Sequence, residues 1–236
     1  MSAGEQSPRV HLVTGAGSGI GSAIARRLLA RGDEVWLLAR DAGRARQLAE
    51  ALPGAQTLVG DLAEPSRLSW AFGHQAPPDR LDSLLHVAGV IELGPVGDVT
   101  PKIWNETLAV NLVGPAELTR LLLPQLRLSR GDVVFVNSGA GLNASPEWSA
   151  YAASKHGLKA LADALRAEEA GNGVRVTSVY PGRTATPMQQ KVHQQEGRAY
   201  NASRLIDPES VATAVLTAVD LPRDAALTDV RVRPGV

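Results

Sequence analysis

The stretch Val10-His11-Leu12-Val13-Thr14-Gly15-Ala16-Gly17-Ser18-Gly19-Ile20-Gly21 decides how the rest of the chain is read. A short apolar run of β character ends in a glycine-rich turn. From Gly19 to Arg31, apolar residues then recur at Ile20, Ile24, Leu28 and Leu29, the stripe of a helix with one buried face, and Gly32 stops it. Strand, glycine turn and helix in this order expose unpaired helix N–H groups where backbone can come close to a phosphate. The spacing Gly15, Gly19, Gly21 is not G-x-G-x-x-G, and no Gly-Lys-Ser/Thr ending follows, so the turn predicts a dinucleotide and not ATP.

Outward from this unit, the same alternation continues. Strands are expected at Val35 to Ala39, Gln56 to Val59, Leu81 to Val87, Val133 to Asn137, Arg175 to Val179 and Ala226 to Val232. Helical periods fall at Ala42 to Leu52, Pro65 to Gly73, Pro101 to Leu128, Ala150 to Glu169 and Pro208 to Val219. Seven strands separated by helices predict an α/β chain: a doubly wound, seven-stranded parallel sheet with helices on both faces, Rossmann-like, forming one domain over residues 1–236. Only residues 183–207 break the pattern. Polar, Gln-rich and weakly periodic, they read as an irregular, flexible substrate loop.

Composition narrows the function. Lys plus Arg and Asp plus Glu both number 24 in 236 residues, and no basic cluster stands out, so a nucleic-acid partner is not expected. With no Cys, thiolate metal sites and cysteine nucleophiles are excluded. The His residues at 11, 74, 86, 156 and 193 lack metal-ligand spacing, so no catalytic metal is expected. No G-x-S-x-G surrounds Ser138, which argues against a hydrolase elbow. No apolar stretch reaches bilayer-spanning length, and a cytoplasmic protein without membrane contact is the expectation.

The end of the second strand chooses between dinucleotides, since an acid there would bond the ribose hydroxyls whereas Arg accommodates a 2′-phosphate. Here the strand ends Ala39-Arg40-Asp41, which favours NADP(H) through Arg40, with NAD possible; Asp41 could equally cap the next helix. Asp61-Leu62, after the third strand, could face the adenine amino group, or Asp61 could cap the helix near Pro65. Tyr151 and Lys155 stand four apart on one face of a helix, and Ser138 ends the preceding strand at the sheet edge where doubly wound folds bind ligands.

Together Thr14 to Gly21, Ala88-Gly89, Asn111, Ser138, Tyr151 with Lys155, and Pro181-Gly182 resemble the short-chain dehydrogenase/reductase family, in its compact single-domain branch. They stand in family order over nearly the whole chain. The resemblance implies an oxidoreductase moving a hydride between NADP(H) and a carbonyl or secondary alcohol. Catalytic roles would fall to Asn111, Ser138, Tyr151 and Lys155: Tyr151 as acid/base, Ser138 on the substrate oxygen, Lys155 on the nicotinamide ribose, and Asn111 as anchor for a proton-relaying water. Cofactor contacts would come from Gly15, Gly17, Ser18, Gly19, Ile20, Gly21, Arg40, Asp61, Leu62, Ala88, Gly89, Tyr151, Lys155, Pro181 and Gly182, with Thr184 and Thr186 on the carboxamide. A cation beside a phenol lowers its pKa, so Tyr151 is expected to titrate nearer neutrality.

The chain departs from the family where two Asn usually precede Ala88-Gly89. It has His86 and Val87, which puts the bracing of the central strands in doubt, and His86 reads as a hydrogen-bonded core residue. Gly139 stands where a second Ser is common. Gly139, Ala140, Leu142, Trp148 and Met188 should form an apolar substrate wall, with Asn143, Glu147, Gln189 and His193 adding polarity; a neutral ketone, aldehyde or alcohol fits this better than a highly charged acid. The two long helices carry surplus apolar residues, which, with the family's habit of pairing them, predicts a homodimer or homotetramer. A non-catalytic NADP(H)-binding sensor is the alternative, although it would need no Ser138, Asn111, Tyr151 or Lys155.

Overall fold

The computed structural model describes residues 7–235. Its strands are β1 (Val10–Thr14), β2 (Glu34–Ala39), β3 (Gln56–Val59), β4 (Ser83–His86), β5 (Asp132–Val136), β6 (Arg175–Pro181) and β7 (Asp229–Val232). They form one parallel sheet in the order β3-β2-β1-β4-β5-β6-β7. The crossover between β3 and β4 reverses the winding beside β1, so the glycine turn after β1 opens onto the crevice between the two halves.

Successive strand residues alternate between two cores. Val13, Leu37 and Leu85 face α1 (Gly19–Ala30), α2 (Ala42–Ala51) and α8 (Pro208–Asp220). Leu12, Leu38 and Leu84 face α3 (Pro65–Gly73), α5 (Gly114–Ser129) and α6 (Ser149–Glu169). Burial on both faces is why these strands read as continuous apolar runs.

Two elements differ from expectation. The helix foreseen as continuous from Pro101 to Leu128 is α4 (Pro101–Leu108), a widened π turn over Ala109–Val113, then α5. Pro115 has no N–H to donate to the carbonyl of Asn111 four residues back, so the regular ladder cannot pass. The stretch 183–207 is also more regular than foreseen. It holds α7 (Pro187–Gln195), with Thr186 accepting a cap bond from the Gln189 N–H at 3.2 Å and Pro187 in the first turn, and a short turn over Ala202–Arg204. Its apolar residues are few, and Val192 and Met188 pack on Ile91 and Tyr151 rather than forming a long stripe, so the helical period is faint.

The doubt about the central strands is resolved by substitutes. Thr14 Oγ1 accepts hydrogen bonds from the Val87 N–H at 2.9 Å and the Ala88 N–H at 3.0 Å, tying the ends of β1 and β4. His86 is buried, its Nε2 lies 2.9 Å from Thr119 Oγ1, and its ring stacks on Phe135 at 4.8 Å between centroids.

Candidate active site

A cleft of about 1400 Å³ runs along the carboxyl edge of the sheet, from Arg40 and Asp61 past the glycine turn to Lys155 and Tyr151. Every residue named above for the cofactor lines it, as do Ser138, Tyr151 and Lys155; Asn111 stands behind its wall.

The turn is built by close backbone approach. Gly15 has φ +71°, and a Cβ on it would lie 2.8 Å from the Cα and N of Ala88, so a side chain there would prise β1 from β4. Helix α1 begins at Gly19 with Ser18 as N-cap, and no side chain satisfies its first N–H groups. They remain available to an anion in the cleft, and the closely packed glycine turn fits a dinucleotide's pyrophosphate. Thr186 reaches this turn from the far side: its Cγ2 lies 2.8 Å from where a Cβ on Gly19 would stand. Thr184 is buried and donates to the Gly182 carbonyl, so the approach to α7 is held against the glycine turn.

At the end of the cleft beyond β2, Asp41 caps α2 by accepting from the Arg44 N–H at 2.7 Å, and Arg40 is exposed, 3.3 Å from Asp41. Sequence reasoning missed Arg44. A Cβ built on Gly17 would meet its guanidinium at 1.7 Å, so this cation lies directly on the glycine turn. The signal was present, since an Asp cap at 41 brings residue 44 back to the helix start. Asp61 accepts from the Ala63 N–H at 2.9 Å, an Asx turn; it does not cap α3, whose N-cap is Glu64.

At the opposite end, Lys155 is buried and its Nζ donates to the Val136 carbonyl at 3.1 Å, 5.8 Å from the centroid of the Tyr151 ring. Gly89 lies beside both Lys155 and Asn111: a Cβ there would sit 3.8 Å from Lys155 Nζ, an ordinary contact, and a tight 3.3 Å from Asn111 Oδ1. Asn111 is fully occupied, donating to the Val90 carbonyl at 2.9 Å and to Ser154 Oγ at 3.0 Å and accepting from the Val90 N–H at 2.8 Å. Its side chain therefore shapes the loop after β4.

Among the protein's own groups, burial works against the lowering expected for Tyr151. Burial pushes the Tyr151 phenol above its usual value, with the neighbouring Ser138 hydroxyl opposing that rise, and burial lowers Lys155 to about 8. Among the protein's own groups desolvation wins, because Lys155 is turned toward a carbonyl and is itself reluctant to stay charged. The phenol is thus held as an acid at neutral pH.

Around Tyr151, the substrate end is walled by Ile91, Trp148, Met188 and Val192. Gly139, Ala140, Asn143, Glu147 and Gln189 line it as expected, whereas Leu142 and His193 do not; His193 is buried against Gln189. Arg183 is clamped by Glu196 at 2.6 and 2.8 Å.

A family model described as short chain dehydrogenase matches residues 9–197. The chain is 32% identical over 98% of its length to glycine betaine reductase ATRR of Emericella nidulans, a far longer protein of which it spans 19%. It is also 32% identical to dehydrogenase/reductase SDR family member 7B of Bos taurus, over 93% of this chain and 73% of that one. An oxidoreductase structure from Burkholderia thailandensis superposes with a TM-score of 0.83 at 31% identity, covering 98% and 93% of the two chains.

Proposed function

The chain belongs to the short-chain dehydrogenase/reductase family, and from that premise we propose an NADP(H)-dependent carbonyl reductase or alcohol dehydrogenase with Tyr151 as its acid/base. The observation that carries this reading is one cleft in which Ser138, Tyr151 and Lys155 share a wall with the glycine turn.

When bound, a nicotinamide dinucleotide supplies the hydride donor or acceptor for the substrate carbon. Turn N–H groups at the start of α1 bind its pyrophosphate, and Lys155, Thr184 and Thr186 orient its other end. Ser138 donates to the substrate oxygen and holds it beside the phenol. Tyr151, kept protonated by burial, gives its proton to that oxygen as negative charge develops there, and takes it back from the alcohol in reverse. The apolar wall of Ile91, Trp148 and Val192 excludes water from this exchange.

NADP(H) is preferred over NAD(H) because two guanidiniums, Arg40 and Arg44, border the adenosine end of the cleft, with Asp61 and the exposed Asp41 beside Arg40 as the acids opposing them. Assembly as a homodimer or homotetramer is part of the proposal, since Val113 and Leu128 expose 48% and 77% of their surface along the α4–α5 segment. A single monomeric species in light scattering would reject that part. The activity itself is tested by screening ketones with NADPH and alcohols with NADP, following nicotinamide absorbance. Turnover of at least one pair is expected. Silence across the panel, with NADPH binding retained, would replace the enzyme by the sensor reading.

A further inference from the structure

Gly139 follows Ser138 directly, and the space over it is filled from a distant part of the chain. A Cβ on Gly139 would lie 3.0 Å from Nη1 of Arg233 and 3.7 Å from its Nη2, so the guanidinium rests on this glycine inside the cleft. Its backbone is fixed by the sheet: Val232 pairs with Pro181, and the Gly182 N–H donates to the Val232 carbonyl at 2.8 Å. Among the described residues, Arg233 makes no ion pair and no side-chain hydrogen bond, while the neighbouring Arg183 is neutralised by Glu196. Of the other acids at this end, Glu147 lies in the exposed loop before Trp148 and pairs with no described cation.

Resting on the reading of Ser138 as the carbonyl anchor, we propose that Arg233 binds a carboxylate on the substrate, making the substrates oxo acids and the corresponding hydroxy acids. Ser138 and Gly139 are chain neighbours lining one cleft, so an anion on the guanidinium that rests against Gly139 belongs to the molecule whose oxygen Ser138 holds. The planar fork suits a carboxylate because it can give two parallel charge-assisted bonds. A substrate lacking the anion would leave this donor set unmatched, which is how a polar site rejects an isostere. The apolar wall then serves the remaining carbon chain. This departs from the neutral ketone expected on composition of the loops alone.

The test is a matched pair, acetoacetate and its methyl ester, assayed with NADPH in the unaltered enzyme, Arg233→Ala and Gly139→Ser. The expected result is kcat/KM favouring the acid, a fall of about 10- to 100-fold for the acid in Arg233→Ala with the ester changed little, and a smaller fall in Gly139→Ser, whose side chain displaces the guanidinium. Equal use of acid and ester by the unaltered enzyme, or equal losses on both in Arg233→Ala, overturns the proposal. If neither compound turns over, inhibition by propanoate against propanamide is measured on whichever ketone the panel finds. Propanoate alone should inhibit, and only while Arg233 is present. An enzyme silent on every ketone refutes the redox reading instead; ligand-observed NMR of propanoate, expected to lose its signal in Arg233→Ala, then decides the carboxylate site by itself.

Discussion

The two edges of the sheet carry polar clusters of similar make-up and opposite use. At the carboxyl edge, Ser138, Tyr151 and Lys155 open onto the cleft. At the amino edge, His11 Nδ1 lies 2.7 Å from Ser83 Oγ and its Nε2 3.4 Å from Asp33, a serine–histidine–aspartate arrangement in outline. Ser83 and His11 are completely buried, and burial holds His11 down at about 4, so it is neutral and bonded to a structural hydroxyl. Asp82 and Asp132 close the same edge by binding the Val10 N–H and the Arg175 guanidinium. Residue types alone therefore do not mark a site; what separates the clusters is which end of the strands the crossovers leave open.

Substitutions sharpen that contrast. Tyr151→Phe should fold, retain NADPH binding and lose turnover by about 100- to 10,000-fold, read by steady-state absorbance alongside a cofactor titration. Retained turnover would move the acid/base elsewhere. In the unaltered enzyme, burial keeps the phenol protonated, so carbonyl reduction should run at neutral pH while alcohol oxidation, which needs the phenolate, climbs as pH rises above neutrality. A pH profile in both directions checks the sign.

Within the cleft, the joint change Arg40→Ala with Arg44→Ala should raise KM for NADPH by about 10- to 150-fold and leave that for NADH nearly unchanged, as expected for charge-assisted bonds to a phosphate. At the closed edge the outcome inverts. Ser83→Ala should cost about 1–3 kcal/mol in denaturant unfolding by stranding His11 Nδ1, with kcat unaltered.

A further effect is in the acid range. His11 and His86 have folded values lowered to about 4 and about 3 from 6.5, both chiefly by burial, so their neutral forms favour the folded chain fully above pH 6.5. As pH falls below that, the unfolded chain takes up protons first and stability declines toward the folded values. His86→Asn should flatten this slope in pH-dependent melting.

The glycine turn between strand and helix was readable because its sequence signal is local. Gly15 and Gly21 are crowded by Ala88 and by the Gly15 carbonyl close at hand, whereas Gly17 and Gly19 are crowded by Arg44 and Thr186 from elsewhere in the chain. The interval between Tyr151 and Lys155 is a property of one helix. Asn111 and α7 were read less well: the π turn depends on Pro115 removing one donor, and α7 is held by its cap and by contact with Tyr151 more than by any stripe. Arg44 could have been seen from the cap at Asp41.

By itself, the order of apolar runs and glycines determined a parallel doubly wound sheet, because alternating strand and helix periods pack in few other ways; the residues of the proposed chemistry came from the resemblance of the motifs to the short-chain dehydrogenase/reductase family. Tertiary structure alone decided that burial raises the Tyr151 phenol, that the His11 cluster is sealed, and that Arg233 lies over Gly139. Desolvation and access depend on elements that meet only when β7 joins β6 and the helices close on the sheet, and no short span of residues encodes them.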